Sequence, residues 1–167
     1  GEKSLLYRVG TSQPLAEALS FNDRKVRYSA AIAFAEAGPV TAFRGSELII
    51  KHLAAALVEE GADEVGQELA RDYAMRAVQA IYKLALSRNK MVDLSLAQAA
   101  LVTVTERDWP QMQIAAGQSL AYLGSPEAQR AIAALAMNEQ SEKDVRLSAF
   151  SSLAFSAKLN ANLLLSE

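Results

Sequence analysis

The chain of 167 residues is 51% apolar, which is enough for one domain with a substantial buried core. Its 17 Lys and Arg against 19 Asp and Glu lack the basic excess that marks proteins binding nucleic acid or an anionic membrane. Because the sequence has no Cys, thiol catalysis, disulfides and Cys-based metal sites are excluded.

Helical periodicity runs through the whole chain, and turn residues divide it into segments. The predicted helices begin at Pro14 after a Thr11-Ser12 cap, and then run from Asn22 or Asp23 to Gly38, from Ser46 to about Glu60, from Val65 to Ser87, from Val92 to Glu106, from Pro110 to Gly124, from Ser125 to Met137 and from Ser141 to Ala157. The short turns between them favour antiparallel helix pairs. The buried face of the second helix is expected to contain Val26, Ala30, Ala33, Phe34 and Ala37.

One segment of the chain recurs. Val26–Gly38 (VRYSAAIAFAEAG) aligns with Met112–Gly124 (MQIAAGQSLAYLG), which places Ala30 on Ala116 and Gly38 on Gly124. Val145–Phe155 (VRLSAFSSLAF) continues the series with Ala149 at the same position. A fainter copy lies around Tyr73–Leu86. These copies predict an array of repeated helical hairpins, since one hairpin alone cannot bury its apolar faces.

The stretches LAEALSFNDRKVRYSAAIAFAEAG and AALAMNEQSEKDVRLSAFSSLAF resemble the HEAT-like, armadillo-type helical repeat family. The segment PVTAFRGSELIIKHLAAAL is also similar to HEAT-repeat regions of large bacterial proteins. The resemblance implies an all-α fold, a right-handed α-α superhelix of stacked antiparallel helix pairs. Residues 1–167 are then one repeat domain of about four hairpins. In such repeats, Asp and Arg form a ladder between successive units, a role that falls here on Asp23, Arg27, Asp144 and Arg146.

Two clusters of charged residues are candidates for a binding site. The long fourth helix has a basic side with Arg71, Arg76 and Lys83, continued by Arg88 and Lys90 and accompanied by Tyr73 and Tyr82. We select Arg71, Tyr73, Arg76 and Lys83 as candidate partner-binding residues, because Arg and Tyr often anchor interfaces. The acidic cluster comprises Glu59, Glu60, Asp63, Glu64 and Glu68, and we interpret it as a solvated turn and helix start rather than a cation site.

His52 is the only histidine in the sequence, and Trp109 is the only tryptophan. His52 has no partner pattern such as H-E-x-x-H, so we interpret it as an ordinary surface or boundary residue without a metal. Trp109 precedes Pro110 at a helix start and is expected to pack as a staple, although an exposed partner anchor is the alternative. We predict no catalytic residues, metal or cofactor.

These features favour a non-enzymatic scaffold or adaptor that binds a protein partner. Enzymes of the HEAT-like class remain the alternative, either a bilin lyase or a glycosylase of alkylated DNA bases, and a third possibility is a structural end segment of an assembly. A nucleic-acid partner is not expected from a net charge of −2. No apolar run is long enough to cross a bilayer, and no signal peptide is visible. We expect a cytoplasmic location, and Gly1 suggests a piece of a longer protein.

Overall fold

The computed structural model describes residues 14–159, and within that range it contains helices and turns but no strand. This confirms the all-α prediction. The helices are α1 (Pro14–Ala18), α2 (Arg24–Ala37), α3 (Glu47–Leu57), α4 (Glu64–Leu86), a 3₁₀ segment (Leu94–Ala97), α5 (Gln98–Glu106), α6 (Pro110–Leu123), α7 (Pro126–Met137) and α8 (Lys143–Leu159). The predicted Thr11-Ser12 cap lies outside the described residues.

Most helix ends coincide with the predicted cap residues. The Asp23 carboxylate accepts a hydrogen bond of 2.7 Å from the Lys25 amide at the start of α2. Ser125 caps α7 by accepting from the Ala128 amide at 3.0 Å. Gly38 and Gly124 end α2 and α6 with φ of 62° each, a left-handed conformation that glycine adopts without a steric penalty.

Two predicted helix ends are wrong. The segment from Val92 does not begin as an α-helix, because the Asp93 carboxylate accepts from both the amide and the hydroxyl of Ser95, at 3.0 and 2.6 Å. Such local bonds compete with helical ones, and a 3₁₀ segment precedes α5. In addition, α3 ends at Leu57 rather than near Glu60.

The buried surface of α2 also differs from the predicted face. Val26 is 38% exposed, while Ala30 and Phe34 are buried as expected. Tyr28, Ala31, Ile32 and Ala35 are buried as well, so burial begins after the first turn and then extends around more than one face. The reason is that α2 packs against α1, α3 and α4 together, whereas the predicted face assumed a single contact stripe.

The chain divides into two compact units, the first ending at Ala97 and the second beginning at Gln98. The prediction of one domain over residues 1–167 stays a prediction. In the first unit, the core between α2, α3 and α4 contains large side chains that are fully buried: Ile32, Ile49, Ile50, Leu53 and Ile81. Each contributes about 1.5–3 kcal/mol by removal from water.

Helices α2 and α4 run parallel within the first unit. Early in α2, Tyr28 meets Tyr73 with ring centroids 5.8 Å apart. Late in α2, the Glu36 carbonyl accepts a bond of 2.7 Å from Lys83 Nζ. The contacts therefore advance in the same direction along both helices, and the C-terminal ends of α2 and α4 lie side by side.

In the second unit, α8 packs on both α6 and α7. Tyr122 of α6 and Phe155 of α8 have ring centroids 4.9 Å apart, and Gln129 of α7 donates to the Ser156 hydroxyl at 3.3 Å. Gln113 donates to the Thr105 carbonyl at 3.1 Å. Every buried side-chain nitrogen and oxygen in the described part of the chain has a hydrogen-bond partner. These hydrogen bonds offset the free-energy cost of removing the polar groups from water.

The recurring segments are helices that begin in the same register. Helix α6 has the bounds of α2 shifted by 86 residues (24 to 110 and 37 to 123), and α8 begins a further 33 residues on (110 to 143). Ala30, Ala116 and Ala149 occupy the same register position, and all three are buried. Small residues at a buried position let neighbouring helices approach closely, and the repeat array itself stays a prediction.

We expect Ala30→Leu to lower the free energy of unfolding by about 1–3 kcal/mol, because Ala30 is only 3% exposed and a larger side chain would overpack the contact. Urea denaturation measures this change. Ala134→Leu is the matched control on the exposed side of α7, and it should leave the midpoint nearly unchanged. Equal midpoints for both variants would contradict a close helix contact at Ala30.

Candidate functional site

All four candidate partner-binding residues belong to α4, and three of them, Tyr73, Arg76 and Lys83, lie near one another on the helix. Asp63 caps the start of this helix by accepting from the Gly66 amide at 2.7 Å. Arg76 lies 5.8 Å from the centroid of the Tyr73 ring, and both Arg76 and Lys83 line a depression beside α2. Arg71 is five positions before Arg76, which at 100° per residue places it about 140° away around the helix. Arg71 is exposed, but its side chain lies on a different side of α4 from Tyr73, Arg76 and Lys83.

Tyr73 is a half-buried residue that connects α4 to α2. Its hydroxyl lies 3.2 Å from the Ser29 hydroxyl of α2, and its ring meets the edge of Tyr28 at an interplanar angle of 65°. Such edge-to-face pairs stabilise a contact by about 0.5–1.5 kcal/mol beyond the area they bury. Tyr73 therefore holds α4 against α2 and supports the position of Arg76.

Glu59, from the acidic cluster, belongs to an internal network. Its carboxylate accepts from the Tyr28 hydroxyl at 2.9 Å and pairs with Arg24 at 2.7 Å. Burial, followed by the bond to Glu59, raises the pKa of Tyr28 to about 12, so the phenol stays protonated. Asp63 caps α4, and the described residues hold no group of three or more His, Asp or Glu able to bind a metal ion.

His52 occupies a boundary position, half-buried on α3. Its Nε2 lies 2.8 Å from the Leu19 carbonyl, so this nitrogen is the donor. Burial lowers the pKa of His52, and the nearby Arg27 lowers it further, while the bond to the Leu19 carbonyl acts in the opposite direction. The neutral imidazole therefore ties α3 to the end of the α1 segment.

A surface cleft lies where α2 and α4 end. Its main depression, about 570 Å³, is lined by the end of α2 and the turn after α4: Ala35, Glu36, Ala37, Gly38, Val40, Lys83, Ser87, Arg88, Asn89 and Lys90. A depression of about 390 Å³ shares Glu36 and Lys83 with it and adds Arg76, Gln79 and Ala80. We call the two depressions together the basic cleft. Sequence analysis identified its basic residues but missed Glu36 and Val40, which come from the other helix and its turn.

Two hydrogen bonds from side chains to backbone carbonyls link the helix ends that line the basic cleft. Lys83 Nζ donates to the Glu36 carbonyl at 2.7 Å, and Asn89 Nδ2 donates to the Pro39 carbonyl at 2.9 Å. Both bonds connect the end of α4 to the end of α2. Cations at helix C-termini are favourable because the last carbonyls carry partial negative charge.

Arg88 has the unusual backbone conformation of the cleft. Its φ is 49°, and it is the one residue other than glycine with positive φ in the described part of the chain. Its amide donates to the Ala85 carbonyl at 2.9 Å and the Asn89 amide donates to the Leu84 carbonyl at 3.1 Å, which closes the end of α4. Glycine normally fills this position, since a side chain there costs about 1–2 kcal/mol.

The residues of the expected repeat ladder bond to nearby backbone. Arg27 donates to the carbonyls of Phe21 and Asn22 at 2.6 and 2.8 Å, and Arg146 donates to the Ala136 carbonyl at 3.2 Å. Asp23 caps α2, and Asp144 lies exposed in the first turn of α8. The bonds of Asp23 and Arg27 hold the turn before α2 to that helix, and the Arg146 bond ties α8 to the last turn of α7. The ladder between repeats stays a prediction.

Trp109 is half-buried just before α6, and the guanidinium of Arg107 lies 4.8 Å from its ring centroid. This distance is within the range of a cation–π interaction. The predicted staple contact with the first turns of α6 stays a prediction.

The described residues thus define an all-helical protein with an open basic cleft. No helix among them is long and apolar enough to cross a membrane. Comparisons with protein-family models, with curated proteins and with solved structures find no match for this chain.

We expect stability to fall as the pH drops below about 6.5, the usual pKa of histidine in an unfolded chain. The lowered pKa of His52 means that the unfolded chain takes up a proton more readily than the folded protein, and protonation therefore favours unfolding. The Tm measured at pH 7.5 and pH 5.5 should differ less in His52→Gln, whose amide can still donate to Leu19. An equal difference in both proteins would show that His52 does not titrate in this way.

Proposed function

We propose that this chain is a HEAT-like repeat module, a right-handed superhelix of stacked helix pairs that binds a protein partner without catalysis. The observation that carries the proposal is the common register of α2, α6 and α8, in which Ala30, Ala116 and Ala149 are buried. Recurrence of a buried alanine at one register position is what a stacked repeat array is expected to show.

The parallel arrangement of α2 and α4 supports the same proposal. Stacked helix pairs place every second helix side by side in the same direction, as Tyr28 with Tyr73 and Glu36 with Lys83 are placed here. These second helices line the concave surface on which repeat proteins usually bind partners. The basic cleft lies along this pair of helices, which makes it the proposed partner-binding surface.

The side chains at the surface of the cleft are suitable for a protein interface. Arg76 and Lys83 are exposed, and Tyr73 supports Arg76 from below. Arg and Tyr are common among residues that dominate binding energy, while a chain with a net charge of −2 has no general attraction for polyanions. A protein partner fits these features better than nucleic acid.

We expect the double variant Arg76→Ala/Lys83→Ala to weaken binding of the captured partner by at least about tenfold, roughly 1.4 kcal/mol. Affinity purification with the immobilised chain identifies the partner, and calorimetry then compares the variants. Arg71→Ala is the matched control, because it removes one exposed cation from a different side of α4.

Full binding by the double variant together with loss in Arg71→Ala would move the interface to the other side of α4. Failure to capture any protein with the chain would contradict the proposed function itself.

A further inference from the structure

The basic cleft concentrates positive charge on a chain that is acidic overall. Arg76, Lys83, Arg88 and Lys90 line it, against one carboxylate, Glu36. The ends of α2 and α4 add partial negative charges of about one half each. The four cations, the Glu36 carboxylate and the two helix ends together give a net charge of about +2. Asp72 lies 3.8 Å from Arg76 on the same helix, and including its carboxylate leaves a net charge of about +1.

Three of these cations are available to a ligand. Within residues 14–159, no carboxylate lies within ion-pair distance of Lys83, Arg88 or Lys90. Lys83 uses one of its three donors on the Glu36 carbonyl, and Arg88 and Lys90 are exposed on the turn after α4. A carboxylate entering the cleft would therefore find donors that the fold does not already use.

The conformation of Arg88 is a second, independent observation. The other two described helices that end in the left-handed conformation, α2 and α6, have glycine there, as Gly38 and Gly124. Arg88 adopts the same conformation with φ of 49° and accepts the steric strain that glycine would avoid. A strained, exposed arginine among the lining residues of a cleft indicates a side chain suited to binding rather than to stability.

The remaining lining residues restrict the kind of anion. Ala35, Ala37 and Val40 make part of the wall apolar, and Val40 is 90% exposed. Glu36 lines both depressions and repels a densely charged phosphate chain more strongly than a peptide with spaced carboxylates. An extended peptide with acidic residues beside an apolar one can pair its carboxylates with the cations and pack its apolar side chain against the apolar wall.

We propose that the basic cleft binds an acidic, partly apolar peptide segment of the partner protein, with Arg88 and Lys90 pairing its carboxylates and Val40 contacting its apolar side chain. This inference rests on the proposed function and specifies its ligand. Arg88 then determines specificity, because its planar guanidinium can bind a carboxylate through two parallel hydrogen bonds.

Fluorescence anisotropy with a labelled peptide of alternating Glu and Leu tests the proposal on the full chain. We expect saturable binding that weakens about five- to tenfold when Gln replaces Glu in the peptide, and by a similar factor in Arg88→Gly. The free energy of unfolding of Arg88→Gly should equal or exceed that of the wild type, since glycine relieves the strain, so lost binding would not reflect misfolding.

Arg44→Gly is the control for charge, because it removes an exposed cation outside the cleft and should leave the peptide affinity almost unchanged. Equal binding of the Glu and Gln peptides, no binding of either, or an unaffected Arg88→Gly would overturn the inference. Tighter binding of a single-stranded oligonucleotide or of anionic vesicles than of the Glu peptide would also overturn it.

The two proposals fail in distinguishable ways. A captured partner whose binding needs Arg76 and Lys83, combined with no affinity for the Glu peptide, would reject only the acidic-segment ligand. Peptide binding without any captured partner would instead leave a carboxylate-binding cleft and reject the scaffold function.

Discussion

Close packing between helices at alanine positions is the constraint on which the rest of the structure depends. Ala30, Ala116 and Ala149 are buried at one register position in α2, α6 and α8. Protein interiors tolerate little change in volume, so this position sets how near the neighbouring helices come. The hydrogen bond from Lys83 to the Glu36 carbonyl forms only because α2 and α4 lie side by side.

The same packing places apolar and charged residues in different parts of the fold. Alanine and aliphatic side chains fill the core, while Lys83 and Asn89 donate to carbonyls at and just after the end of α2. The basic cleft forms at such an end. Glycine at Gly38 ends α2 without strain, whereas Arg88 ends α4 with strain and places a cation in the cleft. Arg88 therefore lowers stability at the end of α4 while it adds positive charge to the cleft.

Local signals in the sequence were sufficient for most helix ends and insufficient for the cleft. Asp23, Gly38 and Ser125 act through neighbours a few residues away, so the cap and turn rules predicted them correctly. Val26 was wrongly placed in the core because α2 contacts several helices, which no single-helix period describes. Glu36 and Val40 were missed since they reach the cleft through the packing of α2 on α4. Arg71 was grouped with Arg76 because both are basic, although the helical rotation between them places their side chains on different sides of α4.

Native-state hydrogen exchange of the full chain tests the central claim, that one alanine-based contact recurs in three helices, most directly. The slowest-exchanging amides of α2, α6 and α8 should fall at the shared register around Ala30, Ala116 and Ala149, because these buried turns open only with their neighbours. Slowest exchange in the first turns of the helices, or at unrelated register positions in the three, would contradict a repeated packing contact.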